Sequence, residues 1–529
     1  MRDQPSKLPL GTLKNMRKSL YLSIALLMTS GAVSAQQLHT SHIETRRNEK
    51  WWGYYVSESP RQPFETDFEA SAEHSHQTLM VSNKGRYIWS KTPFSIKFSG
   101  ESFTLTSESE NLSARKNGSN LREAYLYCVH KNIWPSAETG IGCEIILPVY
   151  ATGLTTVSAA SGYQLLQMAE SLHSQGVKSG TLLIADGWRD DHSADGFDKN
   201  LYESFRTSAE CIAEYGFDVM LTVTPLIPAA GRRYTEALRN AELLTDDSGK
   251  PVVIETPRGW YACLDISRKE VCDGLQSTLS NAARQGNLRF YFDLGDVAEF
   301  IPDSRRTEFV SRWSELAKNN NASLNSFCGC TAPQWHPYSV SAGELSWERL
   351  KTLLRETLYA GITGCIYPYL DLSQTDMAAT DELVLLRTLQ TAAFMPVAAL
   401  APESISFSND QYTQALRRTA AARAAMSDYI TDLINLTAST GEPIIRLMEY
   451  QFPNQGFANC DDQFMIGAEY LIAPILDDTG KRMVRLPKGT WIGADGTKYK
   501  GPRVVSTDVS NGDIPVFRLK QSEKSRSSK

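Results

Sequence analysis

Several things are missing from this chain of 529 residues, and each absence excludes something. No long basic block lies outside the termini and the net charge is 54 − 60 = −6, so nothing suggests a phosphate backbone as partner and no nucleic acid is expected. The nine Cys and eight His are scattered without zinc-ligand spacing, so no structural metal is expected. No Gly-x-Gly-x-x-Gly follows the first apolar strand, which argues against an open dinucleotide-binding sheet. No internal repeat or low-complexity segment is visible, and beyond the N-terminus no apolar run approaches a membrane span.

What is present fits a globular protein of two or three domains: 42% apolar residues, 22% charged and 529 positions, too many for one core. Ten Trp, 22 Tyr and 19 Phe are a generous aromatic supply, on which sugar rings stack well, although core packing accounts for most aromatics in any protein. At the N-terminus Met16-Arg17-Lys18 precedes the apolar run Leu20–Met28 and the small residues Ala32-Val33-Ser34-Ala35. This is the pattern of an export signal over residues 1–35, with translation starting at Met1 or Met16. A periplasmic or secreted protein follows if it is cut, a membrane-anchored one if it is not. Cys263 and Cys272 are close enough in sequence to bridge, whereas Cys328 and Cys330 would make a strained pair. Sequons occur at Asn111, Asn117, Asn321 and Asn435.

Residues 36–145 lack long helical periodicity and show short alternating runs such as Arg86–Ser90 and Phe94–Phe98, the pattern of an N-terminal β-sandwich. Over 146–441 apolar strands alternate with helices. Strands are expected near 145–150, 182–186, 219–223, 288–293, 323–329, 364–370 and 395–400, with an eighth in 333–340. Helices are expected near 162–173, 201–215, 269–285, 304–318, 347–360 and 380–394, and a long one near 410–438. Such alternation argues a parallel sheet, best closed as a (β/α)8 TIM barrel, giving an α/β fold class. Residues 442–520 revert to short strands, a C-terminal β-sandwich domain, and 521–529 read as a disordered tail.

The chemistry points to Arg289-Phe290-Tyr291-Phe292-Asp293-Leu294-Gly295-Asp296. It reads as a buried strand that delivers a carboxylate, then a glycine, into a loop, and barrel enzymes keep their chemistry at that end of a strand. Alternation puts Arg289, Tyr291 and Asp293 on one face and Leu288, Phe290 and Phe292 on the other. Taken alone, an Asp-x-Gly stretch is more often an ordinary turn.

The chain also resembles glycoside hydrolase family 31, the retaining α-glycosidases. The resemblance rests on Gly441-Glu442-Pro443-Ile444-Ile445-Arg446, Phe452-Pro453, Asp462–Gly467, Leu471–Ile475, Leu486–Trp491 and Ile514–Phe517, in order, and on three barrel motifs. These are Ile184-Ala185-Asp186-Gly187-Trp188, Phe292-Asp293-Leu294-Gly295-Asp296 and Tyr367-Pro368-Tyr369-Leu370-Asp371. The resemblance implies a carbohydrate substrate, no cofactor, Asp293 as nucleophile, Asp186 and Asp371 as partners of sugar hydroxyls, and Trp188 and Trp260 as walls. For the tryptophans core packing is the competing role; for the two aspartates it is capping or turn formation.

Three departures stand out. Tyr291 occupies the place of a lysine, and Leu372-Ser373-Gln374 follows Asp371 in place of Ile-Gly-Gly. The segment Trp335–Trp347, where the resemblance implies an aspartic acid/base, contains no Asp; Glu344 is its one carboxylate. Glu344 is therefore the candidate acid/base, against a helix-capping box with Ser341. Two functions follow: an exo-acting retaining α-glycosidase, or a catalytically impaired relative that binds carbohydrate in the same pocket.

Overall fold

The computed structural model describes residues 38–520, apart from 55–59, 73–77, 134–148, 152–161, 175–178, 185–187, 190–204, 257–258, 285, 287, 295–296, 321–323, 326–337, 373–374, 376–379, 398, 401–406 and 510–511. The export signal, the tail, Asp186, Cys328 and Cys330 lie outside the described residues.

Two four-stranded antiparallel sheets form the N-terminal region. One holds His39–Glu44, Ser102–Ser107, Ser95–Ser99 and Phe68–Ala70; the other holds Trp51–Gly53, Leu79–Ser82, Arg86–Trp89 and Arg115–Lys116. The period-two pattern of Ser95–Ser99 buries Ile96 and Phe98, which join Ile43, Phe103 and Leu105 against Trp51, Met80 and Ile88 from the second sheet. The chain then forms a helix, Leu121–Cys128, that strand reading of 36–145 misses. Its eight residues are too few for a periodic signal, but its cap is legible in the sequence. Asn120 Oδ1 accepts from the Glu123 amide (3.0 Å), while Glu123 Oε2 accepts from the Ser119 amide (2.7 Å). The helix straps the ends of the fold together: the Tyr125 hydroxyl donates to the Gly441 carbonyl (2.9 Å) and Arg122 pairs with Glu442. Gly441 ends the preceding helix at φ +71, and a Cβ there would lie 2.4 Å from Val129 Cγ1, so glycine is required twice over.

Eight parallel strands close into a barrel in chain order: Val149–Ala151, Gly180–Ile184, Phe217–Val223, Leu288–Phe292, Leu324–Asn325, Tyr338–Ser341, Pro368–Asp371 and Ala399–Leu400. Pairing of Ala399 with Val149 closes the ring. Alternation sorts the side chains. Leu182, Ile184, Val219, Leu221, Phe290 and Phe292 face the helices, where Phe292 meets Trp313 edge-on at 5.1 Å. Each such burial contributes roughly 1.5–3 kcal/mol. Leu183, Met220 and Tyr291 fall on the opposite face, inside the ring. At the N-terminal end of the ring Arg289 pairs with Asp218 (2.9 Å), and burial pushes the Asp218 carboxyl up.

Three expectations are corrected. The single helix near 410–438 is two, Asp410–Ala424 and Ser427–Thr440, because Met426 leaves the helical conformation (φ −100, ψ 2) to bury its side chain. The C-terminal region is one six-stranded antiparallel sheet and not two facing sheets. Its long strands Lys481–Gly493 and Lys498–Asp508 shift register between Leu486 and Gly489, and such an irregularity bends one sheet around its own core. Finally, Cys263 and Cys272 are free thiols. Cys263 ends a strand of a small antiparallel sheet (Leu226–Pro228, Gly259–Cys263, Val253–Thr256), inserted after the third barrel strand and unforeseen in the sequence. Its thiol approaches the Leu264 carbonyl (3.4 Å), and that of Cys272 approaches the Ile266 carbonyl (3.2 Å). Alkylation in denaturant without reductant should therefore label both residues, as peptide mass spectrometry will show; a disulfide-linked peptide pair would contradict the assignment.

Candidate functional site

The C-terminal rim of the barrel carries Asp293 and Asp371, because parallel strands deliver all their C-terminal ends to one face. Asp293 follows the fourth strand immediately, and its amide donates to the Val223 carbonyl (2.8 Å), so the ladder holds its backbone one residue past the strand. Its side chain is half-buried. Asp371 is the last residue of the seventh strand, pairs with Ser341 of the sixth and is 5% exposed. Its carbonyl accepts from the Ala342 amide (2.9 Å), which ties the start of the segment after the sixth strand to the same rim.

That segment carries Glu344, and here the capping alternative fails. The helix Trp347–Thr363 is capped by Ser346, whose hydroxyl accepts from the Arg349 amide (3.1 Å). Ser341 is the last residue of a strand, five residues before that cap, so Glu344 does not stand at the third position of the helix as a capping box with Ser341 would require. Glu344 lies exposed beside Gly343, which turns the chain at φ +59 and whose carbonyl accepts from the Thr375 hydroxyl (3.3 Å).

The two tryptophans part company. Trp188 is fully buried in the layer between strands and helices, its indole N–H donating to the Thr222 carbonyl (2.6 Å); it is a core residue and offers no exposed wall. Trp260 is 58% exposed on the inserted sheet, opposite Glu255. The insert is tethered near the third strand's C-terminal end, since the Leu264 amide donates to the Pro225 carbonyl (2.7 Å). Trp188→Ala should lower stability by about 3–5 kcal/mol, while Trp260→Ala should stay within about 0.5 kcal/mol, both read by chemical denaturation.

Arg189 was not singled out in the sequence. Its guanidinium donates to Thr224 Oγ1 (3.3 Å) and the Leu226 carbonyl (2.7 Å), clamping the loop after the second strand onto the exit of the third. It also lines a cavity of about 200 Å³ with Arg233, Glu242 and Glu270. Nothing in the sequence marks it, because its partners are a hydroxyl and a backbone carbonyl some 35 positions on. No group of His, Cys, Asp and Glu suited to a metal ion occurs among the described residues.

Residues 441–521 match the glycosyl hydrolase family 31 C-terminal domain. That C-terminal region therefore carries the likeness to glycoside hydrolase family 31. The chain's similarity to the myogenesis-regulating glycosidase of Mus musculus is 24% identity over 401 residues, covering 70% of this chain and 54% of that protein. The chain thus spans about half the length of that curated relative. Among solved structures, the family 31 dextranase of Flavobacterium johnsoniae superposes with a TM-score of 0.78 at 17% identity, covering 91% of this chain and 66% of the other. A family 31 α-xylosidase from a soil metagenome gives 0.75 at 16% identity, covering 92% and 80%. At such identities the structures establish the shared architecture, a barrel with β-domains.

Proposed function

We propose that this protein is an exo-acting retaining α-glycosidase that hydrolyses terminal α-linked sugars through a glycosyl-enzyme intermediate on Asp293. Retaining cleavage needs two carboxyl groups about 5–5.5 Å apart, one ionised for attack and one that gives a proton to the leaving oxygen and then activates water. The observation that carries the reading is the position of Asp293, half-buried at the C-terminal end of the fourth strand of a closed parallel barrel. Glu344, freed from the capping role, is the acid/base of this proposal. The fourth and sixth strands are separated by one strand. Their backbones therefore lie roughly 10 Å apart, a gap that an Asp and a Glu side chain reaching toward each other can close to the required distance. Asp371 and Asp186 would accept hydrogen bonds from sugar hydroxyls, and Trp260 would stack on a sugar ring. The names of the related proteins, a glycosidase, a dextranase and an α-xylosidase, support the substrate class. Export to the periplasm or beyond, as the N-terminal signal pattern suggests, suits an enzyme acting on environmental glycans.

A second reading, a carbohydrate-binding relative with impaired catalysis, is favoured by the exposure of Glu344. General acids in such sites are usually desolvated, which keeps the carboxyl protonated near neutral pH. Turnover of a panel of aryl α-glycosides by the purified protein separates the two. Release of aryl alcohol with initial retention of the α-configuration supports the enzyme; binding of free sugars without turnover of any member supports the binder.

A further inference from the structure

The chain carries net charge −6, yet Lys481–Arg503 holds seven Lys or Arg against one acid, Asp495. The antiparallel register shows where part of this charge lies. Trp491 pairs with Tyr499 on one side and Leu519 on the other, and these side chains face the domain core. The alternate positions therefore face solvent. On that face Ile492 is flanked by Lys498 and Arg518. Thr490 is paired with Lys500 on one side, and on the other its carbonyl accepts from the Lys520 amide (2.8 Å). Four basic side chains thus stand at the corners of a rectangle on three adjacent strands, with Ile492 and Thr490 between them. Its sides are about 7 Å along the strands and about 10 Å across them.

All four cations are exposed. Arg518 shares its charge with Glu469 (3.2 Å) and lies over the Tyr470 ring. Among the described residues Lys498, Lys500 and Lys520 have no carboxylate partner; Asp495, in the adjacent turn, is engaged by Thr497 (2.6 Å). Lysines and a proline on an exposed edge strand guard against pairing with another chain, and Lys498, Lys500 and Pro502 do lie on the edge. That explanation does not reach Arg518 and Lys520, which sit two strands in from the edge.

We propose that this face binds an acidic polysaccharide, a glycan bearing carboxylate or sulfate groups at regular intervals. Cations spaced across three adjacent strands match a linear polyanion, and Thr490 offers a hydroxyl to its sugars. The half-buried Ile492 supplies an apolar floor for the face of a ring. Beside the rectangle the Tyr470 ring is half-buried and covered by Arg518, and among the described residues no exposed aromatic lies on this face for base stacking, which favours a glycan over single-stranded nucleic acid. The site is on a different domain from Asp293, so binding does not depend on the barrel's chemistry.

Affinity electrophoresis in gels containing polygalacturonate or dextran sulfate tests the proposal, with neutral dextran, duplex DNA and anionic phospholipid vesicles in parallel. The full chain should be retarded by the acidic polysaccharides and not by neutral dextran. The triple variant Lys498→Gln, Lys500→Gln, Lys520→Gln should weaken that binding by about tenfold or more at low salt, and about 0.5 M NaCl should abolish it. The same charge change at Lys97, Lys269 and Lys351 should alter it by less than about twofold. Equal retardation of both triple variants would overturn the proposal. So would binding to DNA or vesicles as tight as to the acidic polysaccharides, which would mark a general polyanion or membrane surface. Circular dichroism of the variants, unchanged from the parent, excludes misfolding as the cause of lost binding.

Discussion

Asp293→Asn should abolish turnover of aryl α-glycosides, with kcat falling on the order of 10³ to 10⁶-fold while binding of a non-hydrolysed sugar changes little. The substitution keeps the shape of the side chain but removes the negative charge that attacks the anomeric carbon. Loss of a covalent nucleophile is felt in both halves of the double displacement. The fold should tolerate the change, because the hydrogen bond from the Asp293 backbone amide to the Val223 carbonyl is left intact by the substitution. Steady-state kinetics with a thermal melt of the same sample checks both halves of the expectation. A variant with more than about a tenth of wild-type kcat would remove Asp293 from the mechanism.

Glu344→Gln should separate substrates by leaving group. Proton donation typically contributes about 10²–10⁴-fold, and nearly all of it is needed when the leaving group is a sugar alkoxide. A natural disaccharide should therefore lose about that factor, whereas a glycosyl fluoride, whose leaving group needs little protonation, should lose only a few-fold in its first step. The location of Glu344 makes this clean: Ser346 caps the helix and Glu344 does not, so stability should stay within about 0.5 kcal/mol. Equal losses on both substrates would place Glu344 outside acid catalysis.

Buried Glu449 gives a pH expectation away from the site. Burial pushes its carboxyl up, and one of its oxygens, Oε2, has no partner among the described residues. A carboxyl whose folded pKa is raised binds its proton more tightly folded than unfolded, so it costs stability as pH rises through the interval above the ordinary glutamate value. Glu449→Gln should be neutral or stabilising at pH 7 and should flatten that part of the denaturation profile; a loss above about 1 kcal/mol at pH 7 would contradict this.

The barrel was legible because its signal is long: apolar runs such as Leu182–Ile184 and Val219–Val223 alternate with helical stretches at spacings that admit few other folds. The position of Asp293 was legible for the same reason, since it directly follows the strand Leu288–Phe292. What the sequence concealed was decided by distant partners. The inserted sheet after the third strand consists of strands of three to five residues, below the length at which alternation declares itself. Trp188 reads equally well as a sugar platform or a core residue until the Thr222 carbonyl is seen against its indole. The Ser341–Glu344 pair matches the capping pattern, but the true cap, Ser346, sits five residues further on in a chain equally rich in candidates. Free Cys263 and Cys272 follow the same rule, since nine positions of separation allow a bridge without requiring one.

The central claim is a covalent sugar ester on one aspartate, and mass spectrometry of the protein inactivated by a 5-fluoro glycosyl fluoride tests it most directly. The account predicts a single added glycosyl unit, mapped by peptide sequencing to Asp293 and absent from Asp293→Asn. An adduct on another carboxylate, or slow inactivation with no adduct while turnover proceeds, would contradict it.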